Sequence, residues 1–264
     1  MCIEQESSVS PFVFVNDIVN DIVDIVCNNS LLDKLNTSEV KEKFVSELNG
    51  YHLVCDATVK EAVWEEINKT IASVGCNVTN EAKGNHKSGM DMKFQDIGIS
   101  MKSAKIDKNR MSISSYRLTT VCSDKNVGVP SDIVEHIRKK DESYKYYSVL
   151  AREELPDNKI HYYWCMIPKS TPVFNMDANE FRPKMGKQGK NKDSQVGWDT
   201  PNFSISFSMS SQLWFSFSFN DVKKYVIADT IVDNSTTKMS YSDIFKLIQM
   251  QKWLKEMLRM QLTT

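Results

Sequence analysis

The sequence predicts a mixed α/β (α+β) domain: a central mixed β-sheet flanked by helices, preceded by a helical N-terminal segment. Three observations predict it. Apolar residues recur at helical spacing through the first third of the chain. From Met90 the period shortens to every second residue, as strands require. Helical spacing then returns after Pro130 and again from about Ser240 to Leu262. Elements of both kinds, each apolar on one side, bury those sides by stacking in layers.

The helices come first. Phe12, Val15, Ile18, Val19, Ile22 and Val26 mark one, and a second amphipathic stretch runs from about Thr37 to Leu48. Asn49-Gly50 reads as a break. A third helix is expected over Thr58 to Val74, with Val63, Ile67, Ile71 and Val74 on its inner face, followed by a polar segment from Asn80 to Gly89. Met90, Met92 and Phe94, then Ile97, Ile99 and Met101, alternate as two strands joined tightly at Gln95-Asp96. A further strand includes Met111 to Ser115. The helix opening at Pro130 and Ser131 turns Ile133, Val134 and Ile137 inward.

Two β-rich runs follow, Tyr144 to Ala151 and Lys159 to Ile167, separated by a Pro-Asp-Asn turn. Phe181 to Asn202 is basic and shows no period, so a long loop is expected there. A hairpin of Phe203 to Met209 and Leu213 to Phe219 comes next.

At 264 residues, one elaborated domain is favoured over two, with a helical segment over 1–50, a core over 51–229 and a C-terminal helix within 230–264. No apolar run reaches the roughly 20 residues that cross a bilayer. The most apolar early stretch is interrupted by Asp17, Asp21 and Asp24, which argues against a secretion signal and points to a cytoplasmic protein. Cys2, Cys27, Cys55, Cys76, Cys122 and Cys165 form no CxxC or CxxH pair, so reduced thiols are expected rather than a zinc or redox site. The formal net charge is -1, but basic clusters occur at Lys102, Lys105, Lys108 and Arg110, at Arg138 to Lys140, and at Arg182 to Lys192. Only the face that meets phosphates must be basic, so the total does not exclude nucleic acid. His52, His86, His136 and His161 lack metal-ligand spacing, and no P-loop, GxGxxG or GxSxG is present.

The chemistry concentrates in Ser88 to Lys105. Side chains alternate across a strand. If Met92 and Phe94 face the core, Asp91 faces away; if Ile99 and Met101 are buried, Ser100 and Lys102 share the opposite side. A tight turn then brings a carboxylate, a hydroxyl and an ammonium together on one surface, a set suited to phosphodiester hydrolysis. The carboxylate would hold Mg²⁺, and the lysine would orient or help deprotonate a water and stabilise charge growing on phosphorus.

This segment resembles the active-site hairpin of the PD-(D/E)XK nucleases, in which a metal-binding Asp precedes an acid-x-Lys pair on the next strand. Asp91 falls on the first acid and Ser100-Met101-Lys102 on the second motif. Ser112 to Thr120 is similar to a segment that follows this motif in several type II restriction endonucleases, among them the small MspI-like enzymes. Ser211-Gln-Leu-Trp-Phe215 resembles a late strand of such enzymes. The resemblance implies a restriction-endonuclease-like fold and a Mg²⁺-dependent endonuclease cutting double-stranded DNA at a specific sequence. It also implies a homodimer and a companion DNA methyltransferase in the host.

Two positions depart from the pattern. Met90 stands where Pro is usual, and Ser100 replaces the second acid. A neutral hydroxyl is a poorer Mg²⁺ ligand than a carboxylate. The missing charge is expected from Glu66 on the preceding helix, with Asp96 in the turn as a second candidate. Lys105, Arg117, Lys187 and Lys190 are the candidate DNA contacts, with Tyr116 beside Arg117 either touching phosphate or packing. The Phe181–Asn202 loop is the candidate base reader. Two other readings stand beside restriction: a repair, recombination or mobile-element nuclease of the same superfamily, and a DNA- or protein-binding module that has lost catalysis.

Overall fold

The computed structural model describes residues 31–80, 90–117, 127–187, 189–207 and 212–262. The helix expected over Phe12–Val26 lies outside them, as do residues 81–89, Met209, Ser211 and the end of the Ser112–Thr120 segment.

Residues 31–35 are helical (α1). Helix α2 (Ser38–Val54) begins behind Thr37, whose hydroxyl accepts the Val40 N–H as an N-cap. Val40, Phe44, Leu48 and His52 recur every four residues, and all are buried. The break expected at Asn49-Gly50 does not occur. A glycine inside a helix costs about 1 kcal/mol, and His52 anchors the turn beyond it by hydrogen bonds to Asn234 (3.0 Å) and Tyr162 (2.9 Å).

Helix α3 (Glu61–Gly75) buries Trp64, Ile67, Asn68, Ile71 and Ala72. The inner face is therefore rotated by roughly 70° from the one expected, at 100° per residue. Val63 is only partly buried and Val74 is 47% exposed. Trp64 decides the rotation, because it is the largest apolar side chain on the helix and is fully buried.

The strands follow: β1 (Val78–Asn80), β2 (Met92–Phe94), β3 (Ile97–Asp107) and β4 (Arg110–Arg117). Helix α4 (Pro130–Asp141) leads to β5 (Tyr146–Glu154) and β6 (Lys159–Pro168). The Phe181–Asn202 stretch is not a loop. It folds as a hairpin of β7 (Arg182–Met185) and β8 (Gln195–Asp199) around a short 3₁₀ turn. Its inner side is carried by few residues, with Phe181 and Trp198 packing together, which is too little to show a period. Gly197 is required there, since a Cβ would lie 1.9 Å from the carbonyl oxygen of Ile205. Then come β9 (Phe203–Phe207), β10 (Gln212–Ser218), the single-turn α5 (Phe219–Val222), β11 (Val226–Asp233) and α6 (Tyr241–Leu262).

Among the described residues these strands form one mixed sheet ordered β11-β6-β5-β3-β4-β10-β9-β8-β7, with β2 and then β1 branching from β3. The β3–β5 pair is parallel, and the crossover between them carries β4 and α4. The other pairs are antiparallel. Two apolar cores cover its two faces. Helices α1–α3 pack over Ile99, Met101, Leu150, Tyr162 and Trp164. Helix α4 packs on the opposite side over Ile106, Tyr147, Val149 and Ile167, together with Phe203, Phe215 and Phe217 of β9 and β10. Met90, expected to share the face of Met92 and Phe94, packs instead against this second core, because it precedes the first paired residue of β2. Among the described residues, no helix is long and apolar enough to cross a membrane.

Ser148 of β5 ties the helical layer to the sheet. The indole N–H of Trp64 donates to its carbonyl (3.2 Å), its hydroxyl donates to Asn68 Oδ1 (2.8 Å), and the indole N–H of Trp164 donates to that hydroxyl (2.9 Å). Ser148, Asn68 and both tryptophans are fully buried. Ser148→Ala strands the Trp164 N–H and the Asn68 carbonyl, each unpaired buried group costing about 1–3 kcal/mol. Urea denaturation should therefore show a loss of about 2–6 kcal/mol; an unchanged midpoint would contradict this role.

Candidate active site

The β2–β3 hairpin turns at Gln95 and Asp96, whose φ angles of 49° and 67° lie in the left-handed region used by tight two-residue turns. Asp96 is exposed in this turn, away from Asp91. Pairing runs from Phe94–Ile97 to Met92–Ile99, and the Asp91 N–H extends it by donating to the Ile99 carbonyl at 2.9 Å. Asp91 therefore sits beside the Ile99–Ser100 step of β3.

Strand β3 forks at this point. On one edge it pairs continuously with β5 from Ile99 to Lys105. On the other, β2 holds Ile97–Ile99 and β4 holds Ile106–Asp107. Among the described residues, neither strand pairs with Ser100–Lys105 on that second edge. The side chain of Asp91 fills the start of the gap. Its Oδ2 accepts the Met101 N–H at 2.6 Å and the Ser100 hydroxyl at 3.2 Å. A carboxylate thus replaces the missing strand, while its Oδ1 has no partner among the described residues.

Lys102 lies beside it and is only 6% exposed. Its ammonium stands 3.8 Å from Asp91 Oδ2, and it donates to Glu61 Oε1 at 3.0 Å and to the Met101 carbonyl at 2.5 Å. A charge this buried persists only when paired, and two carboxylates pair it. Ser100 is buried at 2% exposure and acts through its bond to Asp91.

Helix α3 supplies the further acids. Glu61 is its first residue and Glu65 lies one turn on, so both project from one side. Burial pushes the Glu65 carboxyl above its ordinary range; the charges of Asp91 and Glu61 push it further, and Lys102 opposes them. Glu66, the acid expected from the sequence, is exposed, and the carboxylates that α3 brings to Lys102 and Asp91 are Glu61 and Glu65. The signal for them was Trp64: taken as the centre of the buried face, it places Glu61, Glu65 and Asn68 along one edge of that face.

Among the described residues, no three His, Cys, Asp or Glu side chains converge closely enough to hold a metal ion by themselves. The donors present are nonetheless hard carboxylate oxygens, the kind Mg²⁺ prefers. That ion commonly takes one or two carboxylates and completes its shell with water and substrate phosphate.

The expected DNA contacts are spread over β3, β4 and the β7–β8 hairpin. Lys105, further along β3, is exposed and ion-paired with Glu154. Arg117 closes β4, its backbone paired with Gln212. Lys187 is exposed in the β7–β8 hairpin and Lys190 belongs to the 3₁₀ turn there. The structure groups Asp91, Ser100 and Lys102; the side chains of Arg117 and Lys190 lie outside what it describes.

No protein-family model matches the sequence, and comparison with curated proteins finds no match. Among solved structures, a restriction endonuclease in complex with substrate DNA matches with a TM-score of 0.35 and 11% sequence identity, covering 88% of this chain and 99% of that one.

The Glu65 shift has a measurable consequence. A carboxyl whose folded pKa is raised contributes stability below its unfolded pKa and loses it as pH rises through the folded value. Glu65→Gln removes that loss. The variant should match the wild type in acid, below the ordinary carboxylate range, and be more thermostable at neutral pH. Equal melting temperatures at both pH values would show that Glu65 is not held against its neighbours' charge.

Proposed function

We propose that this chain is a Mg²⁺-dependent DNA endonuclease with a PD-(D/E)XK-type site and a restriction-endonuclease-like fold, cutting double-stranded DNA at a specific sequence as a type II restriction enzyme does. The observation that carries this reading is the buried Lys102 ammonium held between Asp91 and Glu61 at an unpaired edge of the sheet. Few other chemistries need that combination. Phosphodiester hydrolysis needs a cation where charge builds on phosphorus and a carboxylate array beside it.

In this reading Asp91, with Glu61 or Glu65, holds Mg²⁺, which when bound polarises the phosphate and makes its water more acidic. Asp91 presents its free Oδ1 while Oδ2 stays anchored to Met101 and Ser100. Ser100 thus acts as a positioning residue for the acid rather than as a ligand. The Lys102 ammonium exchanges part of its pairing with Glu61 for the incoming water and the phosphate oxygens, holding both in line. Cytoplasmic location, homodimeric assembly and a companion methyltransferase belong to the same reading.

A second reading, a DNA-binding module without catalysis, is favoured by one feature: Ser100 in the place of an acid, its hydroxyl committed to Asp91.

Digestion of unmethylated phage-length DNA with Mg²⁺, with the fragment ends sequenced, separates these. Discrete fragments with a common end sequence are expected. A preference for branched substrates would point to a repair or recombination nuclease, and tight binding without cutting in Mg²⁺ or Mn²⁺ to the module. Lys102→Ala should lower the cleavage rate by about 10²–10³-fold or more, on the scale of removing one charge-stabilising donor, while leaving DNA binding intact. Undiminished cutting by Lys102→Ala would remove it from the mechanism.

A further inference from the structure

The far end of the sheet carries a second feature, built from different residues. Directly opposed residues of antiparallel strands share a face, so the registers define rows across β4, β10, β9, β8 and β7. One row is Ser112, Ser216, Ser204, Asp199 and Arg182. The next is Ser114, Trp214, Ser206, Gly197 and Lys184. The residues between the rows, among them Ile113, Phe215, Ile205 and Trp198, turn the other way into or against the α4-side core. The outward face therefore carries five serines and Gly197 around Trp214, with Asp199, Arg182 and Lys184 toward its β7–β8 end.

Beside the rows lies a groove of about 1050 Å³ whose wall carries Arg110, Lys184 and Lys187, with Asp193 and Asp199 as its acids. The Arg110 guanidinium donates to the Ser204 hydroxyl at 3.1 Å and to the Ser216 carbonyl at 3.4 Å, which fixes it at the junction of groove and rows. Lys184 is partly buried, and its ammonium makes no hydrogen bond or ion pair among the described residues. Burial lowers its pKa, Arg110 and Lys187 lower it further, and only Asp199 opposes them. Two cations, Arg110 and Lys187, crowd the partly desolvated Lys184 ammonium, and an anion seated among the three relieves that repulsion.

We propose that this groove and the serine rows beside it form a nucleic-acid surface, with a backbone phosphate of duplex DNA seated between Lys184, Arg110 and Lys187. The serine hydroxyls at the edge of the groove are short donors of the kind that bond phosphate and sugar oxygens. The groove is also in reach of the candidate active site. Lys102 and Asp107 are five residues apart on one strand, about 17 Å at 3.3 Å per residue, and Arg110 follows the turn directly. The ligand class rests on the nuclease reading; the residues do not.

The test is fluorescence anisotropy of a labelled DNA duplex across a salt series, using wild type and the double variant Lys184→Met/Lys187→Gln. Inorganic pyrophosphate and an RNA duplex serve as competitors. The double variant should bind about tenfold more weakly, and its slope of log K against log salt should be shallower by about two, as expected for two lost phosphate contacts. Its melting temperature should be unchanged or higher, because a crowded cation is removed. In cleavage, KM should rise with kcat retained.

Duplex binding equal to wild type, or a loss without a change in salt slope, would overturn the proposal. Pyrophosphate displacing DNA at equal concentration would reassign the groove to small anions, and stronger competition by RNA would reassign it to RNA. The nuclease reading is judged separately, by whether Asp91→Asn and Lys102→Ala abolish cutting; either result can stand without the other.

Discussion

Trp64 and Asn68 both reach Ser148, and the arrangement of charges around Lys102 depends on that contact. Ser148 lies beside Met101 in the parallel β3–β5 pair, one residue from Lys102. Trp64 and Asn68 sit one turn apart on α3, flanking Glu65. Hydrogen bonds have direction and a narrow range of length, so this buried trio sets both the rotation and the height of α3 on the sheet in a way that apolar packing alone does not. With the helix set, Glu61 has little choice but to meet the Lys102 ammonium.

The second constraint is the fork in β3. A strand edge without a partner leaves N–H and C=O groups that must be satisfied elsewhere. Here the Met101 N–H is satisfied by Asp91 and the Met101 carbonyl by Lys102. The two side chains that complete the backbone's hydrogen bonding are the same two that carry the proposed chemistry. This gives the hairpin its rigidity, and it explains how a buried lysine and a half-buried acid coexist in the folded state. The helix-side carboxylates are under strain of another kind: Glu65 is held near Asp91 and Glu61, and a cation or a proton relieves the repulsion. Sites poised to bind often carry such a stability cost.

Much of the molecule was legible in the sequence. Alternation fixed the hairpin and its phase, because burying Ile99 and Met101 on one side leaves Ser100 and Lys102 no other side to occupy. The helix from Ser240 to Leu262 and the inner faces of α4 and β9 followed in the same way. The errors share one cause. Asn49-Gly50 did not end α2, because His52 is anchored by residues more than a hundred positions away. The β7–β8 hairpin showed no period, because its inner side is a pair of aromatic residues rather than an alternating row. The rotation of α3 was illegible for the same reason: Val63 and Val74 continue the apolar spacing, but Trp64 and Ala72 take the buried places, which turns Glu61 and Glu65 toward Lys102 and Asp91.

The sequence by itself determined which chemistry is present: a carboxylate, a hydroxyl and an ammonium in alternating register about a two-residue turn. These are short-range facts, settled by strand geometry within about a dozen residues. Only the tertiary structure decided which acid meets the Lys102 ammonium and where the cationic groove at Lys184 lies. Helix rotation depends on a partner strand distant in sequence, and the groove at Lys184 exists only where β7, β8 and β9 lie side by side. Local pattern constrains the side of the sheet on which a residue stands; what stands across from it is a property of the fold.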